Sequence, residues 1–219
     1  ESKMAQTNFN NRANLKIVPA DPEILEEEIK DGWGFGPAGS SSAKVPYLSY
    51  GQNKAGKVSY DTVLYPEKLG ANDTVTVKRL DTGRDKTEAT ALQIQINSNT
   101  AYYLLTHQVT GESNRFGEGN SFDGKMAFFE KNSYGELSTV SIAEGKTLVI
   151  DGREVIKAEV PISSLAISYE GSNLYLSSED INVSAAVYVP EECEKIKDCA
   201  GKVLYWNTVG SLRFNRDAD

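Results

Sequence analysis

Leu92–Thr106 reads LQIQINSNTAYYLLT, and this stretch decides the fold class. Leu92, Ile94 and Ile96 alternate with Gln93, Gln95 and Asn97, the two-residue period of a strand with one buried face. Ser98-Asn99-Thr100 offers turn residues, and Ala101–Thr106 runs back as an aromatic-rich segment suited to a pleated sheet. The pattern predicts a hairpin with Leu92, Ile94 and Ile96 directed at a core. It carries no catalytic group.

Working outward from the hairpin, short strands and turns continue in both directions. Val75 and Val77 alternate with polar residues in Asp73–Leu80, and Asp81-Thr82-Gly83-Arg84 turns the chain into the hairpin. Downstream, Gly111–Lys125 reads as a glycine-rich loop and Met126–Glu130 as a strand. Leu137–Ile142 and Thr147–Ile150 follow, and Asp151-Gly152 is a two-residue hairpin turn into Arg153–Val160. Pro161 is expected to break that run before Leu165–Tyr169. Pro190–Cys199 reads as a loop or one helical turn, and Gly201–Asn215 as a long closing strand. Roughly twelve short strands with no βαβ rhythm predict an all-β, antiparallel Ig-like or jelly-roll β-sandwich.

One short helix is expected beside it. Asp21 is a suitable cap, Pro22 fits the first helical position, and Glu23, Glu26 and Glu27 favour the positive end of a helix dipole. Ile24, Leu25 and Ile29 supply a narrow apolar face, and Gly32 a stop. Before the helix, Phe9, Ala13, Leu15 and Ile17 share one parity of a candidate strand ending at Val18. Residues 1–20 thus read as an extension strand, and residues 21–219 as one sandwich domain.

The 219 residues carry a net charge of −8, and the 23 basic residues are dispersed, which disfavours nucleic acid as a partner. No apolar run approaches the roughly 18 residues of a membrane helix. The chain opens on Glu1, and Cys193 and Cys199 lie in EECEKIKDCAG. A bridge between them suits an exported protein with a processed N-terminus, and two free thiols are the alternative. An extracellular or cell-surface location is therefore expected.

Chemistry is sparse. The only histidine, His107, has no neighbouring nucleophile signature, and GxSxG, HExxH and P-loop patterns are absent. No enzyme is expected, and no cofactor beyond a candidate calcium site at Glu118, Asn120 and Asp123, oxygen donors within a glycine-rich loop. Trp33 and Phe35 among glycines, with Trp206, are candidate stacking platforms for a sugar.

Three features together resemble the fibre-forming β-sandwich pilins of bacterial surfaces: the Phe9–Val18 strand leading into DPEIL, the LQIQINSNTAYYLLT hairpin, and the closing GKVLYWNTVGSLRF. The chain differs from the common type in its helix and in the late position of its cysteines. The resemblance implies self-association into a filament, with Phe9, Ala13, Leu15 and Ile17 filling a groove in the next subunit. The alternatives are a glycan-binding surface module and, third, a polysaccharide-active enzyme.

Overall fold

The computed structural model describes residues 3–8, 10–34, 43–106, 111–178, 185–190, 195–198, 203–204 and 211–214. Side chains are described for residues 3–8, 10–31, 47–106, 111–178 and 185–190. The chain divides into two compact units, Glu1–Asp73 and Thr74–Asp219. The structure is nearly all β with antiparallel ladders, apart from one parallel pair.

The first unit holds β1 (Ala5–Gln6), β2 (Asn14–Pro19), β3 (Glu26–Gly34), β4 (Ala43–Gly51) and β5 (Thr62–Glu67). β2 lies between β1 and β5, while β3 and β4 form a separate hairpin. The expected helix is not formed. A single 3-10 turn at Pro22–Ile24 uses the Asp21-Pro22 start, and the chain then extends as β3. A ten-residue helix with three apolar residues is marginal without a surface to pack on. β4 instead offers a nine-residue partner, with Glu26 facing Gly51 and Gly34 facing Ala43. Ile29, expected on the apolar helix face, is 72% exposed on the strand.

The parity of the N-terminal strand is also reversed. Lys16 and Val18 are buried, whereas Leu15 and Ile17 are only half-buried and Ala13 is exposed. Lysine can occupy the inner side because it is paired. Lys16 Nζ lies 2.7 Å from Glu67 Oε1 and also donates to the Asp73 carbonyl. Glu67 Oε1 accepts from the Asp73 amide at 2.8 Å, and its other oxygen accepts from Gln6 Nε2 at 3.0 Å. One carboxylate therefore ties together all three strands of the sheet.

The second unit runs through β6 (Val75–Arg79), β7 (Ala89–Ile96), β8 (Asn99–Thr106), β9 (Asn114–Arg115), β10 (Ser121–Lys131), β11 (Leu137–Ile150) and β12 (Arg153–Glu170). It ends with β13 (Asn173–Ser178), β14 (Ala185–Tyr188), β15 (Lys195–Asp198), β16 (Val203–Leu204) and β17 (Ser211–Phe214). The main ladder is ordered β16-β15-β13-β12-β11-β10-β8-β7-β6, with β14 and β17 branching from β12. The expected hairpin is present as β7 and β8, closed by the two residues Asn97 and Ser98, with Asn97 at φ 54°. Of the three residues expected inside, Leu92 is buried. Ala91 and Leu104 belong to the contiguous apolar core, while Ile94 and Ile96 are half-buried outside it.

Several segments expected to be separate are continuous. β11 spans fourteen residues and β12 eighteen, with Pro161 inside β12. Pro161 is tolerated because the β11–β12 register slips between Gly145 and Thr147, leaving the proline out of that ladder. Conversely, the expected closing strand is divided, since β16 pairs with β15 and β17 with β14. Lys195–Asp198 is a strand parallel to β13 rather than a helical turn.

The register slips mark a fold line across β10, β11 and β12. β10 slips against β11 between Asp123 and Gly124, and Glu144, with φ 49°, precedes Gly145 in β11. Bulges of this kind bend and twist a strand. Gly124 and Gly145 face each other across the ladder, beneath the fully buried ring of Phe122. A Cβ on Gly145 would overlap that ring and stand 2.6 Å from the Asp123 carbonyl oxygen. The missing side chains make room for the aromatic ring at the bend. Beyond the bend the strands turn back, enclosing Phe116, Phe122, Phe129, Ile142, Leu148 and Ile167 in one core.

Candidate binding cleft

The site is assembled at the turn between β11 and β12, in the second unit. Asp151 and Gly152 adopt φ 52° and 75°, the left-handed pair of a tight hairpin, which an Asp-Gly sequence adopts readily. A straight β11 would place its two ends roughly 46 Å apart at about 3.3 Å per residue. The fold line brings them together instead. Lys131, at the far end of β10, puts its Nζ 2.8 and 2.6 Å from the two Asp151 oxygens.

The loop before β10 locks onto the same turn. Asn120 is buried, its Oδ1 accepting from the Asp151 amide at 3.0 Å and its Nδ2 donating to the Phe116 carbonyl at 3.1 Å. Gly119 O accepts from the Gly152 amide at 2.8 Å. Gly119 has φ 71°, and a Cβ there would stand 3.2 Å from the Asp151 Cα and the Gly152 nitrogen. Only glycine fits this approach.

Two clefts open on either side of Asp151. The first, about 520 Å³, is lined by Asn132, Glu136, Arg153, Tyr169, Asn173 and Tyr188, together with Asp151. The second, about 570 Å³, is lined by Lys78, Gln93, Tyr102, Glu118 and Asn120, again with Asp151. Both volumes fall within the roughly 300–1,000 Å³ of small-ligand sites.

Aromatic rings are fixed in both. Tyr102 stacks on Phe129 at 4.5 Å and 15°, accepts a hydrogen bond from Gln93 Nε2 at 3.1 Å, and has Lys131 Nζ 5.7 Å from its ring. In the first cleft, Tyr169 Oη donates to the Tyr188 carbonyl at 3.2 Å, and the Arg153 guanidinium lies 4.5 Å from the Tyr188 ring centre.

Two carboxylates of the first cleft are engaged. Asp151 is paired with Lys131, and Glu136 accepts from Asn132 Nδ2 at 3.0 Å. Ser138 donates to the Glu130 carbonyl at 3.2 Å, so this hydroxyl is held by an acceptor with no basic character. The arrangement suits binding of a polar molecule against aromatic rings.

The residues singled out in the sequence are scattered relative to these clefts. Of the calcium candidates, Glu118 and Asn120 line the second cleft, but the Asn120 amide is occupied by the turn, and Asp123 Oδ1 accepts from the Gly111 amide at 2.7 Å. Among the described residues, no group of three or more His, Cys, Asp or Glu side chains is placed to hold a metal. Leu15 and Ile17 lie in β2, opposite Pro66 and Leu64 of β5, and Ile17 also faces Ala5 of β1. The β2 backbone is thus hydrogen-bonded on both sides within its own unit. Trp33 lies in β3 opposite Lys44, its side chain outside the described residues. Phe9, Phe35, His107, Cys193, Cys199 and Trp206 also lie outside the described residues.

The cleft residues Arg153, Tyr169 and Tyr188 carry no motif, nor does Lys131, which pairs with Asp151. The one local signal was the Asp151-Gly152 turn, and only the bend in β11 shows what that turn meets. Among the described residues no helix is long and apolar enough to cross a membrane. No protein-family model and no curated protein matches the sequence.

Proposed function

We propose that the chain is a non-enzymatic, extracellular β-sandwich module that binds a glycan at the paired clefts around Asp151. The folded-over sheet of the second unit supplies the two layers of the sandwich in this reading. The observation that carries it is the first cleft, where a guanidinium and two tyrosines fixed by rigid strands stand beside amide and carboxylate groups. Sugars present C–H faces to aromatic rings and hydroxyls to planar polar groups, so this mixture of linings fits them. The geometry of the site rests on turns that are hydrogen-bonded to one another.

Strand donation into a filament is less favoured by the same geometry. Asn14–Pro19 would have to leave β1 and β5 and expose the Lys16–Glu67 pair. A glycan array probed with the full chain, alongside negative-stain microscopy, separates the two readings. Glycan binding by a non-filamentous protein, lost in Tyr188→Ala, is the expected result. Filaments that vanish on deletion of residues 1–18, with no glycan bound, would overturn it.

A further inference from the structure

We propose that the first cleft selects an acidic sugar, with Arg153 receiving the carboxylate of a uronic acid residue. The inference rests on the glycan-binding reading and names the class of sugar. Three observations lead to it.

The first concerns partners. Among the described residues, the contact shown for the Arg153 guanidinium is the Tyr188 ring, and no carboxylate pairs with it. The neighbouring acids are each engaged elsewhere: Asp151 by Lys131, Glu136 by Asn132, and Glu154 by Lys157 at 2.9 Å. Arg153 is exposed and lines the cleft. Among the described residues, its hydrogen-bond donors are thus open to a ligand.

The second concerns preorganisation. A ring contact restrains a guanidinium without using its N–H groups, so the donor fork stays free for a bidentate acceptor. Tyr188 is itself held in β14, and its carbonyl receives the Tyr169 hydroxyl. Arg153 begins β12, directly after the hydrogen-bonded Asp151-Gly152 turn. Its backbone therefore has a fixed origin.

The third concerns what lies around the charge. Tyr169, Tyr188 and Asn173 line the same cleft. A sugar ring bearing a carboxylate can meet tyrosine with its C–H face and arginine with its acid group. A carboxylate is planar and matches the guanidinium fork edge to edge, a geometry that a lysine ammonium cannot reproduce.

Titration calorimetry of the full chain against polygalacturonate, alginate and hyaluronan fragments, each beside its carboxyl-reduced counterpart, tests this directly. A sulfated galactan serves as the other anion. At least one uronate is expected to bind about tenfold or more tightly than its reduced form, the size of a charge-assisted hydrogen-bonded contact. Arg153→Ala should abolish that preference, and Arg153→Lys should recover only part of it, with thermal melting of both variants near that of the parent.

Equal binding of uronate and reduced forms would overturn the acid selection and leave the glycan reading standing. Binding to none of these glycans, and to no neutral glycan on an array, would remove both. Tight binding of the sulfated galactan alone would overturn the carboxylate assignment. A preference for uronate that persists in Arg153→Ala would overturn the role of Arg153.

Discussion

The two units stabilise their sheets by different means. In Glu1–Asp73, the three-stranded sheet is centred on a charged pair, Lys16–Glu67, with side chains only 4% and 2% exposed. In Thr74–Asp219, the sheet bends over an apolar core in which Phe116, Phe122 and Phe129 are fully buried. A small unit has little interior, and hydrogen bonds that converge on one carboxylate give it strand order without much apolar area. A larger unit can fold its strands over themselves, and the bend then creates the clefts. The first arrangement depends on protonation state, the second on steric fit.

The largest expected effect is at the bend. Phe122→Ala should destabilise the second unit by about 3–5 kcal/mol, as aromatic truncation in a closed core does. Gly145→Ala should cost about 1–3 kcal/mol or more through overlap with the Phe122 ring. If Phe122 and the glycine gap are one device, the double variant in urea unfolding will be less destabilised than the sum of the two singles. Full additivity would show that the ring and the gap are independent.

The next effect separates the units by pH. The hydrogen bond from Lys16 is the main reason the Glu67 carboxyl lies below its ordinary value of 4.5. A depressed carboxyl stabilises the folded state above the ordinary value and loses that contribution as pH falls through its folded value. Hydrogen exchange should therefore loosen residues 14–19 and 62–67 as pH drops below 4.5, before the core of the second unit opens. Glu67→Gln should produce the same loosening at neutral pH, because it leaves Lys16 buried without its counter-charge. Simultaneous opening of both units in acid would erase the distinction.

A smaller effect is expected at the Lys131–Asp151 bridge, where Asp151 is 61% exposed. Asp151→Asn keeps a residue suited to the left-handed turn and removes only the charge. The cost should be about 0.2–1 kcal/mol in thermal unfolding, as for other exposed pairs. A much larger loss would show that this bridge, rather than the Asn120 hydrogen bonds, holds the two turns together.

The same contrast explains what could be read from the sequence. Alternation found the β7–β8 hairpin and the all-β class, because period two is a local signal. It misjudged which side of β2 faces inward, and of the β7 residues expected inside only Leu92 is buried. Lys16 is buried by virtue of Glu67, fifty-one residues away, and the alanines buried in β7 are too small to give a hydrophobic signal. The capping pattern at Asp21-Pro22 suggested a helix, but the strand partner supplied by Ala43–Gly51 prevailed over local propensity. Pro161 and the glycines of the fold line looked like interruptions, whereas they are bends within continuous strands. Asp151-Gly152 was legible as a turn. Its meeting with Lys131 and Asn120 depends on a fold of the sheet that no neighbouring residues encode.

The central claim is that binding belongs to the clefts of the second unit. Hydrogen exchange of the full chain, with and without a glycan hit from the array, tests it most directly. Slower exchange at residues 132–138, 151–155 and 169–173 on adding glycan, with residues 14–19 and 62–67 unchanged, is the predicted result. Protection confined to the first unit, or none at the Asp151 turn at a saturating glycan concentration, would contradict it.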